Sequence, residues 1–246
     1  GCKNLIELDI GNSVTSIYSA FSDCGFTDIY IPDNVKYIGP DSFYYCSKLE
    51  KVVIGNGNTY IGEHAFCNCE SLTDISIGNN VTAIGFLSFT NRYDQYPADN
   101  PLGPILDCSN IKYNEYDNAY YLGNSENPYL ALISVKSTDV TTCEINKNTK
   151  IIAGYAFADC KNLNEIIIPD GLVLIIEPLG GVQPGTGIYP SVRNVFYKGT
   201  RDGWNRIVGN NSPCIMYAKI YFYSENRPSV KGDFWHYDES GKTAIW

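Results

Sequence analysis

The chain has 246 residues, 44% of them hydrophobic, enough for a buried core and for one large or two ordinary domains. Its 18 basic and 27 acidic residues leave a net charge of −9, which argues against nucleic-acid binding, because a nucleic-acid binder needs a basic stripe to displace counterions from phosphates. No run of about 18 apolar residues is present to cross a bilayer as a helix.

A repeat governs the first third of the chain. The segments Leu5-x-x-Leu8-x-Ile10, Phe26-x-x-Ile29-x-Ile31, Leu49-x-x-Val52-x-Ile54 and Leu72-x-x-Ile75-x-Ile77 align, and Ile31, Ile54 and Ile77 lie 23 residues apart. Seven positions after the last residue of each comes another isoleucine, at Ile17, Ile38, Ile61 and Ile84. Phe21, Phe43, Phe66 and Phe89 follow, the first three with a cysteine three residues on, at Cys24, Cys46 and Cys69. The alternation is that of a strand with apolar residues inward, and Ile31-Pro32-Asp33-Asn34 and Ile54-Gly55-Asn56-Gly57 supply turns. Each Phe-x-x-Cys piece reads as a single helical turn on the back of the coil. One such repeat cannot bury its own apolar side chains, so neighbours must stack strand beside strand into a solenoid. Gly1-Cys2 opens in mid-repeat, so the chain is expected to be an excised piece of a longer protein.

Residues 91–142 carry no repeat. Pro97, Pro101 and Pro104 mark a loop, and Ala119–Leu122 and Tyr129–Val135, joined by a Gly123–Pro128 turn, read as a β-hairpin expected on the flank of one continuous solenoid. The rhythm resumes with Cys143 and Ile145 at inward strand positions, then Ile152 and Phe157. It is nearly whole in Ala156-Phe157-Ala158-Asp159-Cys160-Lys161-Asn162-Leu163-Asn164-Glu165-Ile166-Ile167-Ile168-Pro169, with Ile175 seven beyond Ile168. That frame resembles the BspA-like leucine-rich repeat family. The resemblance implies a bacterial, secreted or surface-attached protein that works as a non-enzymatic binding or adhesion module.

Gly180-Gly181, Pro184-Gly185 and Gly187 mark a second long loop before Val195-Phe196-Tyr197. Thr200 is placed to cap a short helix on which Trp204 and Ile207 share a face, and Ala218–Tyr223 reads as a last strand. Phe234-Trp235-His236-Tyr237 with Ile245-Trp246 would cover the open end of the core. The reading is therefore a mostly β fold with short helical turns: one right-handed leucine-rich-repeat solenoid over residues 1–246. It is divided into repeats (1–90), a hairpin insert (91–142), further repeats (143–197) and a C-terminal cap (198–246).

Chemistry is sparse. The nine cysteines invite a metal or disulfide reading, but Cys2, Cys24, Cys46, Cys69 and Cys160 recur in frame and Cys143 replaces a core isoleucine, so a buried, reduced ladder is expected. Cys67, Cys108 and Cys214 fall outside it, and a Cys108–Cys214 bond stays open. Glu63-His64-x-x-Cys67-x-Cys69 is the sharpest zinc candidate, yet it lacks the second pair of ligands that tetrahedral zinc takes. Asp94, Asp99 and Asp107 do not have calcium-loop spacing. With two histidines, His64 and His236, and no Gly-x-Ser-x-Gly elbow, no cofactor, metal or catalytic constellation is assigned.

What remains is surface. The outward strand positions form two columns, Glu7, Asp28, Lys51 and Asp74 with Glu165, and Asp9, Tyr30, Val53 and Ser76 with Ile167. This face is the expected binding surface for a protein or glycan of a host or neighbouring cell; the plainer alternative is a solvated face on a ligand-free spacer domain. The tyrosines clustered in the insert, Tyr113, Tyr116, Tyr120, Tyr121 and Tyr129, are read first as packing residues, with sugar or partner contact as the other possibility.

Overall fold

The computed structural model describes residues 1–85, 88–89, 111–137, 139–154, 156–157, 160, 162–176, 192–210, 215 and 217–246. Cys108, Cys214, Asp94, Asp99, Asp107 and the glycine-rich loop at 180–187 lie outside them. The strands are, in chain order, β1 (Ser16–Ile17), β2 (Asp28–Ile31), β3 (Tyr37–Ile38), β4 (Lys51–Ile54), β5 (Tyr60–Ile61), β6 (Asp74–Ser76) and β7 (Ala83–Ile84). After them come β8 (Asn114–Tyr116), β9 (Ala119–Leu122), β10 (Ala131–Val135), β11 (Thr142–Glu144), β12 (Ile151–Ile152), β13 (Glu165–Ile168), β14 (Leu174–Ile175) and β15 (Asn194–Tyr197). The helix α1 (Arg201–Arg206), β16 (Lys219–Tyr223), β17 (Phe234–Tyr237) and β18 (Thr243–Ile245) complete the chain.

The repeat folds as a β-solenoid of about seven turns at a spacing of about 23 residues. In the N-terminal run β2, β4 and β6 pair in parallel, with Ile29, Val52 and Ile75 in one inward register and Asp28, Lys51 and Asp74 beside one another on the outside. The isoleucines seven residues on build a second parallel sheet, β1-β3-β5-β7, in which Ile17, Ile38, Ile61 and Ile84 are partners. Each coil therefore has two strands, a second one that the sequence pattern shows as a single recurring residue. Between the sheets the rings of Phe21, Phe43, Phe66 and Phe89 stack at centroid distances of 5.5, 5.0 and 5.5 Å. Phe43 and Phe66 are fully buried. A stack of this kind continues only if every coil places its ring at one height, which is why the period is strict.

Three expectations are corrected. Residues 5–10 form no strand: the long-strand sheet of this run starts at β2, although Ile10 is buried. The Phe-x-x-Cys pieces are not helical turns. Their N–H groups alternate between i−3 carbonyls (Tyr44 to Asp41, Cys46 to Phe43) and carbonyls of the next coil (Phe43 to Ala65, Tyr45 to Cys67). Left-handed residues at Asp41 and Tyr45, and again at His64 and Asn68, break any helix there. Buried Ser42 and Ser88 assist by donating to carbonyls at Ile17 and Gly39, and at Gly62 and Gly85.

The third correction concerns the insert, which lies in the stack rather than on its flank. β8, β9 and β10 form an antiparallel meander, and β10 pairs in parallel with β12, which pairs with β14. On its other side the meander bonds to the N-terminal run: Ile77 donates to the Gly123 carbonyl, Lys112 to Thr73, and the Asn124 amide to Ile77. Leu122, Leu130, Ala131 and Ile133 belong to the core of the N-terminal run, whereas Ala119, Tyr121 and Leu132 belong to that of the C-terminal run. Alternate residues of one hairpin thus serve two cores, as the period-2 geometry of a strand allows. Tyr121 is fully buried and its hydroxyl accepts from the Asn146 N–H at 3.2 Å, so this ring is packing, as the plainer reading has it.

The long strands of the C-terminal run, β11, β13 and β15, are parallel and in register and continue into β16 and then β17-β18. Thr200 caps α1 by accepting from the Gly203 N–H at 3.2 Å, and Trp204 and Ile207 are buried against Tyr197 and its neighbours.

Candidate functional site

Six of the ten outward residues named from the sequence form one surface. On β2-β4-β6 the inward positions are buried, and the outward ones, Asp28, Tyr30, Lys51, Val53, Asp74 and Ser76, are exposed or half-buried. Tyr30 is 59% exposed, a large aromatic surface with Val53 and Ser76 beside it in register. Lys51 lies 3.9 Å from Asp74, both about half exposed, and such a surface pair adds little stability. Asp28 accepts a hydrogen bond from the Thr27 hydroxyl at 2.8 Å. Glu7 and Asp9 are exposed on the irregular segment before the sheet. Glu165 lies on β13, in the separate sheet of the C-terminal run, where it accepts from the Thr142 hydroxyl and the Asn194 amide at 3.4 and 3.5 Å.

The corresponding face of the C-terminal run is not open. Its outward column is Glu144, Ile167, Phe196 and Tyr221. Ile167 is expected there as a solvent-facing residue, but it is buried, because Trp235 of β17 folds over the column and forms a separate apolar cluster with Ile167, Phe196 and Tyr221. The indole lies 5.4 Å from the Phe196 ring and donates to the Tyr197 carbonyl at 3.0 Å. Two residues on, the Tyr237 hydroxyl donates to Glu144 Oε1 at 3.1 Å, and Lys198 Nζ donates to the same oxygen at 2.6 Å while lying 5.2 Å over the Tyr237 ring. Burial works against the Lys198 ammonium, yet its hydrogen bonds to Glu144 and Tyr237 hold its pKa above the ordinary lysine value. The alternating aromatic residues of 234–237 were the signal in the sequence; what they cover is a tertiary fact.

The cysteines are placed by the repeat, with one correction. Cys24, Cys46, Cys69, Cys143 and Cys160 are buried, but Cys2, counted in the same ladder, is exposed, since it precedes the first formed strand. The Cys46 and Cys69 thiols donate to the Phe21 and Phe43 carbonyls at 3.1 and 3.2 Å. Burial pushes the Cys69 thiol well up and that of Cys143 to about 12, so neither is a ready nucleophile. In the zinc candidate, His64 Nδ1 lies 3.6 Å from Asp41, and among the described residues no three His, Cys, Asp or Glu side chains converge to hold a metal. Among the same residues no helix is long and apolar enough to cross a membrane.

The sequence matches the model of the BspA-type leucine-rich repeat region in six copies, over residues 1–94 and 134–177, more than half of the chain. No curated protein matches it. Among solved structures it is similar to a leucine-rich repeat protein of T. pallidum, with 16% identity, 78% of each chain covered and a TM-score of 0.36. A leucine-rich repeat protein from Bacteroides ovatus has 17% identity, with 87% of this chain and 47% of that one covered and a TM-score of 0.34. The pneumococcal vaccine antigen PcpA has 14% identity, with 86% and 80% covered and a TM-score of 0.28. With six matched copies and a 23-residue coil built from them, the chain belongs to the BspA-type leucine-rich repeat family.

Proposed function

We propose that this chain is a non-enzymatic binding module, displayed outside the bacterial cell or on its surface, that recognises a protein or glycan of a host or neighbouring cell through the outward face of β2-β4-β6. Solenoids of this kind use extended strand-lined surfaces for binding. The observation that carries the reading is the open column around Tyr30, an exposed ring flanked by Asp28 and the weak Lys51–Asp74 pair, on a scaffold whose other long-strand face is covered by the chain itself. Aromatic rings offer contact area at small entropic cost, and flanking charges set orientation. A right-handed coil and a capping role for residues 198–246 are part of the same reading.

The test is a screen of the chain against arrays of glycans and extracellular-matrix proteins, with a Lys51→Glu, Tyr30→Ala double variant run beside it. A ligand bound by the parent and lost in the variant is the expected result. A ligand kept by the variant moves the site to the tyrosines of the insert, and silence of both proteins favours a spacer domain.

A further inference from the structure

The strap, the hairpin β17-β18, is joined to its sheet over fewer residues than the long strands of that sheet are to one another, β11-β13 being paired over three. β13-β15 and β15-β16 are each joined over four registered residue pairs, whereas β16-β17 is joined over two, Phe222 with Phe234 and Tyr223 with Trp235. The inward core of the C-terminal run is assembled from β9 through β16 and α1, with Phe234 packing only at its margin. Trp235 and Tyr237 contribute instead to the outward cluster. The far end of the strap is held by polar contacts, the shared Glu144 Oε1 bonded by Tyr237 and Lys198, at a site where both charged side chains keep about a third of their surface. β17 lies beside β16 in the same sheet, and its Trp235 and Tyr237 side chains cover an outward column of Ile167, Phe196 and Tyr221, three large apolar side chains where the open run has Tyr30, Val53 and Ser76. Without the strap that column is a contiguous apolar patch of the kind that marks an interaction site.

We propose that β17-β18 is a displaceable strap, and that the Ile167–Phe196–Tyr221 face under it is a second recognition surface for an extended protein segment carrying aromatic side chains at positions i and i+2. The cis occupant defines that partner chemistry. Trp235 and Tyr237, two apart on one side of a strand, fill the apolar column and place a hydroxyl donor on Glu144, while the indole N–H finds the Tyr197 carbonyl. A strand from another protein with the same spacing makes the same contacts once the strap lifts, and it must outcompete an intramolecular copy, so the face is autoinhibited. The inference is independent of the open β2-β4-β6 face.

Amide hydrogen exchange on the full chain, parent and Tyr237→Phe, separates a strap from a fixed structural element. The strap reading expects amides of 234–237 to exchange about a hundredfold or more faster than those of 195–197, because local opening needs less than global unfolding. Tyr237→Phe should speed the strap a further three- to tenfold, roughly the effect of one lost hydrogen bond, and leave 195–197 unchanged. A labelled synthetic peptide of residues 230–246 should then bind the Tyr237→Phe chain about three- to tenfold more tightly than the parent, and the same peptide with Trp235→Ser and Tyr237→Ser should not bind. Exchange of both segments at one rate in both proteins would show that the hairpin is a fixed part of the solenoid. Faster strap exchange without peptide binding would eliminate the recognition surface.

Discussion

The two runs of long strands are built on one pattern and present opposite surfaces. In β2-β4-β6 the outward column is Tyr30, Val53 and Ser76 and faces solvent; in β11-β13-β15-β16 it is Glu144, Ile167, Phe196 and Tyr221 and lies under Trp235. An outward position in a repeat is therefore defined by the pleat, and whether it meets water depends on what else the chain brings to it. Three apolar residues in register on the outside of a sheet require a cover, and the aromatic chain end provides it.

That contrast can be broken experimentally. Phe43→Ala removes a fully buried ring from the phenylalanine column and should cost about 3–5 kcal/mol in urea unfolding. A loss under about 1 kcal/mol would mean that this column is not the core of the N-terminal run. Phe196→Ala, buried only on the outward side under the strap, should cost less, about 1–3 kcal/mol. A cost equal to that of Phe43→Ala would make the covered face as integral as the inward core.

Alkaline pH probes the inward core of the covered run. Burial holds the Cys143 thiol at about 12 against an ordinary 9.0, so the folded state favours the neutral thiol. Its contribution is complete below pH 9 and is lost as pH climbs from 9 toward 12, at about 1.4 kcal/mol per pH unit. Urea midpoints between pH 8 and 10.5 should fall more steeply for the parent than for Cys143→Ala, and equal slopes would refute the assignment. The smallest effect is expected on the open face, where Tyr30→Ala should change stability by about 0.5 kcal/mol or less. A larger loss would show that the ring packs rather than waits for a partner.

Much of this was legible in the residues because a solenoid core is a set of ladders. The 23-residue spacing of Ile31, Ile54 and Ile77 placed the long strands, the recurring phenylalanines placed the ring stack, and Thr200 announced its cap. Elsewhere the pattern was silent or misleading. A lone isoleucine per repeat concealed the β1-β3-β5-β7 sheet, since a two-residue strand leaves no alternation to read. Leu5–Ile10 carried the motif without forming the strand, and Ile167 looked solvent-facing until its cover was known.

By itself, then, the sequence determined the repeat, its period and the inward residues, because burial of a regular apolar pattern is a local constraint copied from coil to coil. Only the tertiary structure decided that the insert is built into the stack and that one strand face is closed by the chain's own end. Both depend on pairings across long sequence separations, Ile77 with Gly123 and Tyr237 with Glu144, for which no periodicity speaks.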